Sequence, residues 1–414
     1  MSRTTITAPV TPARPSGPPR RAEKIGFALA CLFAAACLLT IVYLQARDQT
    51  VRWDFEAFYV AGTILSTSGP AHLYDVALQQ RLSAQLYPGH PFLIYNHTPL
   101  EALLFWPLAA LPFRIALMVW SAVSVLVFAI FLLLLRKTGR RLHSPFHFAF
   151  GLMAWMLLTA VLSIGQDTTL LLPILLGGLL LLQRGRETAA GAVLGLGLYR
   201  FEVMLPLLAI FALRRRWRLV AGAAAVAALG LLGSWALVGT AGLRAYVHVL
   251  LMSGQVHGGW GGVVPSMMPN LRGLLVVLLG GLLPPRLLLA MIVLASVALL
   301  LWAARECRGL DHPADPRLPL HYSIAITAAL LASYHLFPAT LVPLVLVAFV
   351  ALTEPSSPPA ERWLAATLLF PWRWLLPRDL PGLPAGPAVA LPLVVLLALL
   401  ARRARRLVPG PAAS

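Results

Sequence analysis

Long apolar stretches separated by short basic clusters constrain this chain more than any other feature. Several of the stretches reach or approach the roughly 20 residues that a helix needs to cross a hydrocarbon core of about 30 Å. Hydrophobic residues make up 59% of the 414 positions and charged residues only 12%, which is about half the charged fraction of a typical soluble domain. The sequence therefore predicts an all-α, polytopic integral membrane protein.

The net charge of +18 comes from basic residues in short clusters between the apolar stretches. Such clusters are typical of cytoplasmic loops, since basic loops stay on the cytoplasmic side of a membrane. A nucleic-acid-binding protein would gather these residues in one patch or tail, so we expect no nucleic-acid partner. The three cysteines form no CxxC motif, and no spacing of histidines and acids is typical of a metal site. We therefore expect neither a metal nor a cofactor.

The chain is expected to form one transmembrane domain, residues 25–406, between two short cytoplasmic tails. Residues 1–24 are rich in Pro, Ser, Thr and Arg, a composition typical of disorder. Residues 25–46 are longer than the apolar core of a signal peptide, so we interpret them as an uncleaved first span. Residues 46–98 are expected to form an outer loop after this span, and residues 407–414 form the second tail.

The positions of the basic clusters predict a topology of about twelve spans in the plasma (inner) membrane, with both termini in the cytoplasm. The cluster from Arg136 to Arg141 fits this topology only if residues 99–112 do not cross the membrane. We therefore expect an interfacial or re-entrant helix there. Residues 189–213 are expected to form a tight hairpin that leaves the cytoplasmic side and returns. Residues 239–285 are expected to form a long outer loop with short interfacial helices.

Asp54 is the most informative residue, because a carboxylate beside a membrane span is costly unless it is solvated, paired or functional. In the predicted topology, polar residues from separate segments collect with it at the outer interface, which is typical of an active site. Structural roles are also open: Asp54 could be a solvated acid or a helix cap, Gln166 and Asp167 could cap a helix, and Arg200 could simply pair with Glu202.

Several motifs together resemble one family of membrane enzymes. The stretch DFEAFYVAG, which begins at Asp54, is similar to the signature that follows the first span in glycosyltransferase family 87. Further similar motifs follow in the family's order, namely LYD at 73–75, YNHTPL at 95–100, WPLA at 106–109, GQ at 165–166, AGAVLGL at 190–196 and SYH at 333–335. The resemblance covers roughly residues 25–355.

Two motifs depart from the family pattern. The family's Lys-Pro after AGxxxGL is replaced by Arg200-Phe201, and its Tyr-Pro-Pro is replaced by Tyr95-Asn96-His97. Arg200 keeps a positive charge, although arginine and lysine differ in hydrogen-bonding geometry. The second change bears on which sugar or acceptor the protein binds.

The resemblance implies a GT-C-type fold and transfer of mannose, with inversion, from a polyprenyl-phosphate donor to a hydroxyl of a lipid or glycan acceptor at the outer face. Asp54 would be the general base, and His335 and Arg200 would meet the leaving phosphate. Further expected substrate contacts are Glu56, Tyr59, Tyr95, Gln166 and Asn270.

Two other classes of protein stay compatible with the sequence. A lipid flippase or small-solute transporter would carry polar residues at the bilayer midplane, whereas most polar candidates here are expected at the outer interface. Another lipid-linked glycan ligase would carry a long late outer loop, but the late loop of this chain has no strong cluster of arginines and histidines.

Overall fold

The computed structural model describes residues 53–86, 88, 92–140, 146–253, 264–369 and 385–407, and single helical positions between 32 and 43. This part of the chain is helical and contains no strand, which confirms the predicted all-α fold. The two tails and most of the expected first span lie outside the described residues. The helices are α1 (Trp53–Thr67), α2 (Val76–Leu86), α3 (Pro99–Phe105), α4 (Phe113–Leu135), α5 (Phe146–Ile164), α6 (Leu171–Gln183), α7 (Glu187–Leu196), α8 (Phe201–Leu213), α9 (Trp217–Ser253), α10 (Leu271–Leu279), α11 (Pro285–Glu306), α12 (Leu318–Ala332), α13 (Leu344–Thr353), α14 (Pro359–Thr367) and α15 (Ala385–Arg406).

Several helical runs are long and apolar enough to cross a membrane, which confirms a membrane protein. Within the described ranges there are five, namely Phe113–Thr138, Glu187–Leu213, Trp217–Ser253, Pro285–Glu306 and Gly386–Arg406. Shorter apolar helices lie between them. The total of about twelve spans stays a prediction.

The run Glu187–Leu213 is not one straight helix. A straight helix of its 27 residues would be about 40 Å long. Its ends meet, however, because Oε1 of Glu187 lies 2.7 Å from Nη2 of Arg216, just after α8. The chain reverses around Arg200, whose φ of −106° and ψ of 61° are not helical. The predicted hairpin is therefore present, and Arg200 lies at its tip.

The region 239–285, expected to form a long outer loop with short interfacial helices, begins with a helix. A break at Gly239, with φ 68° and ψ −179°, interrupts α9, and the helix then continues to Ser253. This second half packs over the segment between α1 and α2, with the ring centroids of Tyr246 and Tyr74 5.1 Å apart. Residues 240–253 are thus helical, as expected for part of this region, and their position at the outer interface stays a prediction.

The described part of the loop predicted for residues 46–98 contains the helices α1 and α2. The aromatic face of α1 packs on α3, where the rings of Phe58 and Phe105 stack with centroids 4.4 Å apart. Gly62 permits this approach, since a Cβ there would lie 2.6 Å from the carbonyl oxygen of Phe105. As predicted for residues 99–112, α3 is short: its seven residues span about 10 Å, too little to cross a bilayer.

The centre of the bundle is α12, whose residues are all buried. A helix that is apolar on every side is stable only when other helices surround it. The hydroxyl of Tyr322 donates to the carbonyl of Leu175 in α6 at 2.9 Å, and its ring packs against Phe211 of α8. The core therefore fixes α6 and the α7–α8 hairpin relative to each other.

Arginine–carboxylate pairs join the loops at the end of the bundle where α7 begins and α8 ends. Arg214 pairs with Asp311, and Arg405 Nη2 lies 2.6 Å from Glu306 Oε1. We call this region the arginine end; it also includes the pairs Arg216–Glu187, Arg317–Asp315, Arg140–Glu354 and Arg403–Glu361. Arg200 lies at the opposite end of the hairpin.

Candidate active site

Asp54 lies in the first turn of α1, where the helix dipole favours a negative charge. Phe55 and Phe58 beside it are fully buried and fix the helix, while Asp54 stays partly exposed. Gln166 donates a hydrogen bond from Nε2 to Asp54 Oδ2 at 3.0 Å. Among the described residues, no hydrogen bond engages Oδ1, so one carboxylate oxygen is held and the other is available.

Gln166 and Asp167 reach this position because α5 ends in a tight left-handed turn. Gly165 has a φ of 69°, and its N–H donates to the carbonyl of Leu162 while the next N–H donates to that of Val161. These two bonds form the Schellman pattern that ends many helices at glycine. The turn directs Gln166 and Asp167 into the protein, and Asp167 is 0% exposed.

Arg200, at the tip of the hairpin, is 6% exposed and lies among acids from three segments. Its Nη2 donates to Oδ1 of Asp167 and to Oε1 of Gln166. Nη2 also lies 3.9 Å from Oε1 of Glu101, and Nη1 lies 3.8 Å from Oε1 of Glu202. Nη2 of the guanidinium expected to meet the leaving phosphate is therefore engaged by groups of the protein itself, whereas Nε has no hydrogen-bond partner among the described residues.

These contacts fix the orientation of the Gln166 amide. Its Oε1 accepts the backbone N–H of Asp167 at 3.1 Å and a hydrogen bond from Arg200. Both partners are pure donors, so the oxygen must face them and the amide NH₂ must face Asp54. Arg200 thus acts on Asp54 through Gln166.

His97 and Glu101 complete this group of residues, which we call the acidic cluster: Asp54, His97, Glu101, Gln166, Asp167, Arg200 and Glu202. Nδ1 of His97 lies 3.0 Å from Oε1 of Glu101, with the two side chains 18% and 0% exposed. The segment before α3 is held by Gln79, which accepts the N–H of Tyr95 and donates to the carbonyl of Leu73.

Burial shifts the pKa of the groups in this cluster. It raises the pKa of Asp54 to about 6 and that of Asp167 to about 7, although Arg200 opposes both shifts. Burial lowers the pKa of His97 to about 4, and Arg200 adds to this shift. At neutral pH, Asp54 is therefore mostly ionised and close to its pKa, while His97 is neutral.

Asn270 and His335 lie in a second group, at the start of α10 and just after α12. Oδ1 of Asn270 accepts the N–H of Gly273 at 2.8 Å, and Nδ2 donates to the carbonyl of Ser333 at 2.7 Å. The guanidinium carbon of Arg272 lies 3.9 Å from the ring centroid of Tyr334. His335 packs against the same ring, and burial, followed by Arg272, lowers its pKa to about 4.

The two groups are neighbours without direct contact between the predicted catalytic residues. Thr168, next to Asp167, donates a hydrogen bond from Oγ1 to the carbonyl of Ala339 at 2.8 Å. This bond ties the turn after α5 to the turn that follows His335. Within the part of the chain that the structure describes, Asp54, Gln166 and Arg200 come together, whereas His335 and Asn270 lie in the adjoining group.

The other predicted substrate contacts form hydrogen bonds with groups of the protein. Glu56 is buried and accepts a hydrogen bond from Ser83 of α2. The hydroxyl of Tyr59 donates to the carbonyl of Leu111, and that of Tyr95 to the carbonyl of Thr98, each at 2.8 Å. These three side chains therefore orient the segments around Asp54.

The sequence-based site omitted His97, Glu101 and Asp167. Glu101 could have been found as a lone carboxylate in an apolar stretch, which is costly without a partner. Its spacing of four residues from His97 is a contact distance on one helix face. A helix-capping role for Asp167 was one alternative from the sequence, but its side chain makes no cap hydrogen bond and binds Arg200 instead.

The family model of glycosyltransferase family 87 matches residues 95–334, more than half of the chain. The chain belongs to glycosyltransferase family 87. No curated protein and no solved structure matches it. Glu101, Gln166 and Arg200 lie inside the matched region, whereas Asp54 precedes it.

Membership of this family and the membrane-spanning helices together make the protein a membrane glycosyltransferase. Such an enzyme requires a lipid-linked sugar donor, an acceptor and a bilayer. Within the described residues, no group of three or more histidine, cysteine or acidic side chains is placed to hold a metal ion.

Proposed function

We propose that this member of family 87 transfers mannose from a polyprenyl-phosphate-mannose donor to a hydroxyl of a lipid or glycan acceptor, with Asp54 as general base. The position of Asp54 supports this most strongly. Gln166 holds one carboxylate oxygen, the side chain is partly exposed, and burial brings its pKa to about 6. A general base is most effective when its pKa lies near the working pH.

In the proposed reaction, the acceptor oxygen attacks the anomeric carbon of mannose. The new C–O bond forms as the bond from that carbon to the phosphate oxygen breaks, and polyprenyl phosphate leaves with the electron pair. Asp54 takes the proton of the attacking hydroxyl. Attack opposite the leaving group inverts the anomeric centre, so one essential carboxylate is sufficient.

Arg200 and Gln166 serve as positioning residues in this mechanism. Arg200 fixes the Gln166 amide with its NH₂ toward Asp54. A hydrogen bond donated to a carboxylate stabilises its charged form and limits its rotation. Asp54 is thereby held ready to accept a proton.

The leaving phosphate is assigned to the neighbouring group around His335. Positive charge and hydrogen-bond donors aimed at the departing oxygen stabilise the charge that develops there. Arg272 supplies a charge and His335 supplies a ring N–H, while Asn270 ties the start of α10 to the Ser333 carbonyl. The Thr168–Ala339 hydrogen bond keeps this group beside the acidic cluster.

The proposed reaction takes place at the extracytoplasmic face of the plasma membrane. Arg200 lies at the end of the α7–α8 hairpin that is opposite the arginine end. Basic loops stay on the cytoplasmic side, so the arginine end, and with it the C-terminus of α15, is assigned to the cytoplasm. The acidic cluster then faces outward.

The test is a transfer assay with purified protein in lipid, radiolabelled polyprenyl-phosphate-mannose and a cell-envelope extract as the acceptor source. Asp54→Asn is expected to reduce transfer by at least about 100-fold. Asp75→Asn is the matched control, because Asp75 is an exposed acid of the same outer region whose role as a hydrogen-bond acceptor for the Leu78 N–H asparagine can keep.

Two results would contradict the proposal. Near wild-type transfer by folded Asp54→Asn would exclude this carboxylate as the base. Transfer from polyprenyl-phosphate-glucose but not from the mannose donor would overturn the sugar assignment and leave the mechanism standing.

A further inference from the structure

His97 belongs to the acidic cluster, but the proposed mechanism gives it no part. Its imidazole is nevertheless built into the site, since Nδ1 lies 3.0 Å from Oε1 of the buried Glu101.

Glu101 is the polar group that faces Nδ1 of His97. Its side chain is fully buried, and in the described part of the chain neither oxygen has a well-aligned hydrogen bond. Oε1 of Glu101 lies 3.0 Å from Nδ1 of His97 and 3.9 Å from Nη2 of Arg200. Burial raises the pKa of Glu101 to about 7, although Arg200 opposes this shift, so Glu101 is mostly ionised only above pH 7. To the ionised carboxylate, which needs a donor, the neutral imidazole donates from Nδ1, and Nε2 then carries a lone pair.

The ring is held rigidly between aromatic side chains. The ring centroids of Phe58 and Tyr95 lie 4.9 Å and 5.5 Å from that of His97. The hydroxyl of Tyr74 donates to the backbone carbonyl of His97 at 2.7 Å. A ring fixed on both faces and at its backbone loses little freedom when it binds a ligand, which favours a directional contact.

Nε2 is open to a ligand. The side chain is 18% exposed, and no hydrogen bond within the described residues engages Nε2. The negative charges of Asp167 and Asp54 lie near enough to favour the protonated ring, so His97 belongs to the same charged cluster as the proposed base. Burial and Arg200 lower its pKa to about 4, so the ring is neutral at pH 7.

We propose that Nε2 of His97 accepts a hydrogen bond from a sugar hydroxyl bound beside Asp54, and that Glu101 is the positioning residue that sets the tautomer. This inference rests on the proposed function and adds to it a specificity-determining contact. The hydroxyl belongs either to the donor mannose or to a sugar of the acceptor.

The kinetic test compares wild type with His97→Phe and His97→Gln. Phenylalanine keeps the contacts with Phe58 and Tyr95 but has no acceptor, whereas glutamine restores an oxygen. His97→Phe is expected to raise the KM of one substrate by about tenfold, the usual effect of one lost hydrogen bond, with a smaller change in kcat. His97→Gln should recover part of this loss.

The affected KM identifies the source of the hydroxyl. A higher KM for polyprenyl-phosphate-mannose assigns it to the donor, and a higher apparent KM for the envelope extract assigns it to the acceptor. If His97→Phe, folded as judged by its melting temperature, leaves both KM values within twofold of wild type, the inference is overturned.

The second measurement does not depend on activity. In protein labelled with ¹⁵N-histidine, the signals that disappear in His97→Gln belong to His97. We expect a protonated Nδ1 and an unprotonated Nε2, and in Glu101→Gln we expect this preference to weaken. A proton on Nε2 in the wild type would refute the inference, whatever the transfer assay shows.

The inference and the proposed function can fail separately. If Asp54→Asn keeps its activity while His97→Phe raises a KM, the base is wrong and the hydroxyl contact stands. If Asp54→Asn is inactive while His97→Phe behaves as wild type, the base stands and the hydroxyl contact is wrong.

Discussion

Both ends of the helix bundle contain arginine–carboxylate ion pairs, but the number of acids for each arginine differs. At the arginine end, arginines and carboxylates pair one to one, as in Arg214–Asp311 and Arg216–Glu187. In the acidic cluster, Arg200 alone approaches Asp167, Glu101 and Glu202.

This difference indicates a structural role for the arginine end and a chemical role for the acidic cluster. Matched pairs neutralise each other and tie neighbouring loops together. In the acidic cluster, burial raises the pKa of Asp54 and Asp167 toward neutrality, and the single Arg200 opposes the shift only in part. Groups that titrate near the working pH are those that can exchange protons. Buried acids that share one arginine therefore distinguish the candidate site from the arginine end.

Removal of Arg200 is expected to have the largest effect, because it leaves the acids of the cluster without a cation. Breaking a buried ion pair costs about 3–5 kcal/mol, so Arg200→Gln should lower the free energy of unfolding by about that amount and abolish transfer. Arg200→Lys, which keeps the charge but not the fork geometry, should fold better and transfer poorly. Thermal unfolding in lipid and the transfer assay measure both effects. An Arg200→Gln protein as stable and active as wild type would contradict the central role of this arginine.

Arg403, at the arginine end, allows the same substitution to be tested in a buried ion pair outside the acidic cluster. It is buried and its Nη1 lies 2.9 Å from Oε1 of the fully buried Glu361. Arg403→Gln should therefore destabilise the protein by about 3 kcal/mol, while the folded fraction keeps its KM and kcat. The same two measurements apply. A change in KM without a loss of stability would mean that the arginine end takes part in the reaction.

The pH dependence sharpens the assignment of the base. Asp54 must be ionised to accept a proton, so the transfer rate should fall as the pH drops through about 6. Gln166→Glu replaces a hydrogen-bond donor with a second acid, which raises the pKa of Asp54 further. The pH at which the transfer rate falls on the acidic side should then rise by about one pH unit. Gln183→Glu, at the far end of α6, is the control and should leave the pH dependence of the transfer rate unchanged. If the rate of wild type, Gln166→Glu and Gln183→Glu falls at the same pH, coupling between Gln166 and Asp54 is excluded.

Arg405 should show the smallest effect. Its side chain is 61% exposed where it meets Glu306, and exposed pairs contribute little because water and salt screen them. Arg405→Gln should leave both the melting temperature and transfer unchanged. A clear loss of stability would show that the arginine end is a coupled network rather than a set of separate pairs.

Much of the fold could be predicted from the sequence because hydropathy is a local property. The hairpin with Arg200 at its tip and the short helix within residues 99–112 both follow from the lengths of apolar stretches between charges. Hydropathy did not show where the helix at residues 240–253 packs, because contacts such as Tyr246 on Tyr74 join segments that are far apart in the chain.

The site could be predicted only in part. Asp54, Gln166 and Arg200 stood out as polar residues in recognisable motifs, but their partners did not. The contact between Gln166 and Asp54 spans 112 positions in the sequence. Glu101 was hidden in an apolar stretch, and only its position beside His97 and Arg200 shows that this acid belongs to the site.

By itself, the sequence determined that this chain is an all-α membrane protein with polar motifs between its apolar helices, because the cost of placing charge in hydrocarbon depends on composition alone. Only the tertiary structure decided that one guanidinium serves several acids, that the Gln166 amide faces Asp54 with its NH₂ group, and that Glu101 lies beside Nδ1 of His97. Those features depend on distances of a few ångströms between segments that are far apart in the chain, and no local pattern of residues encodes such distances.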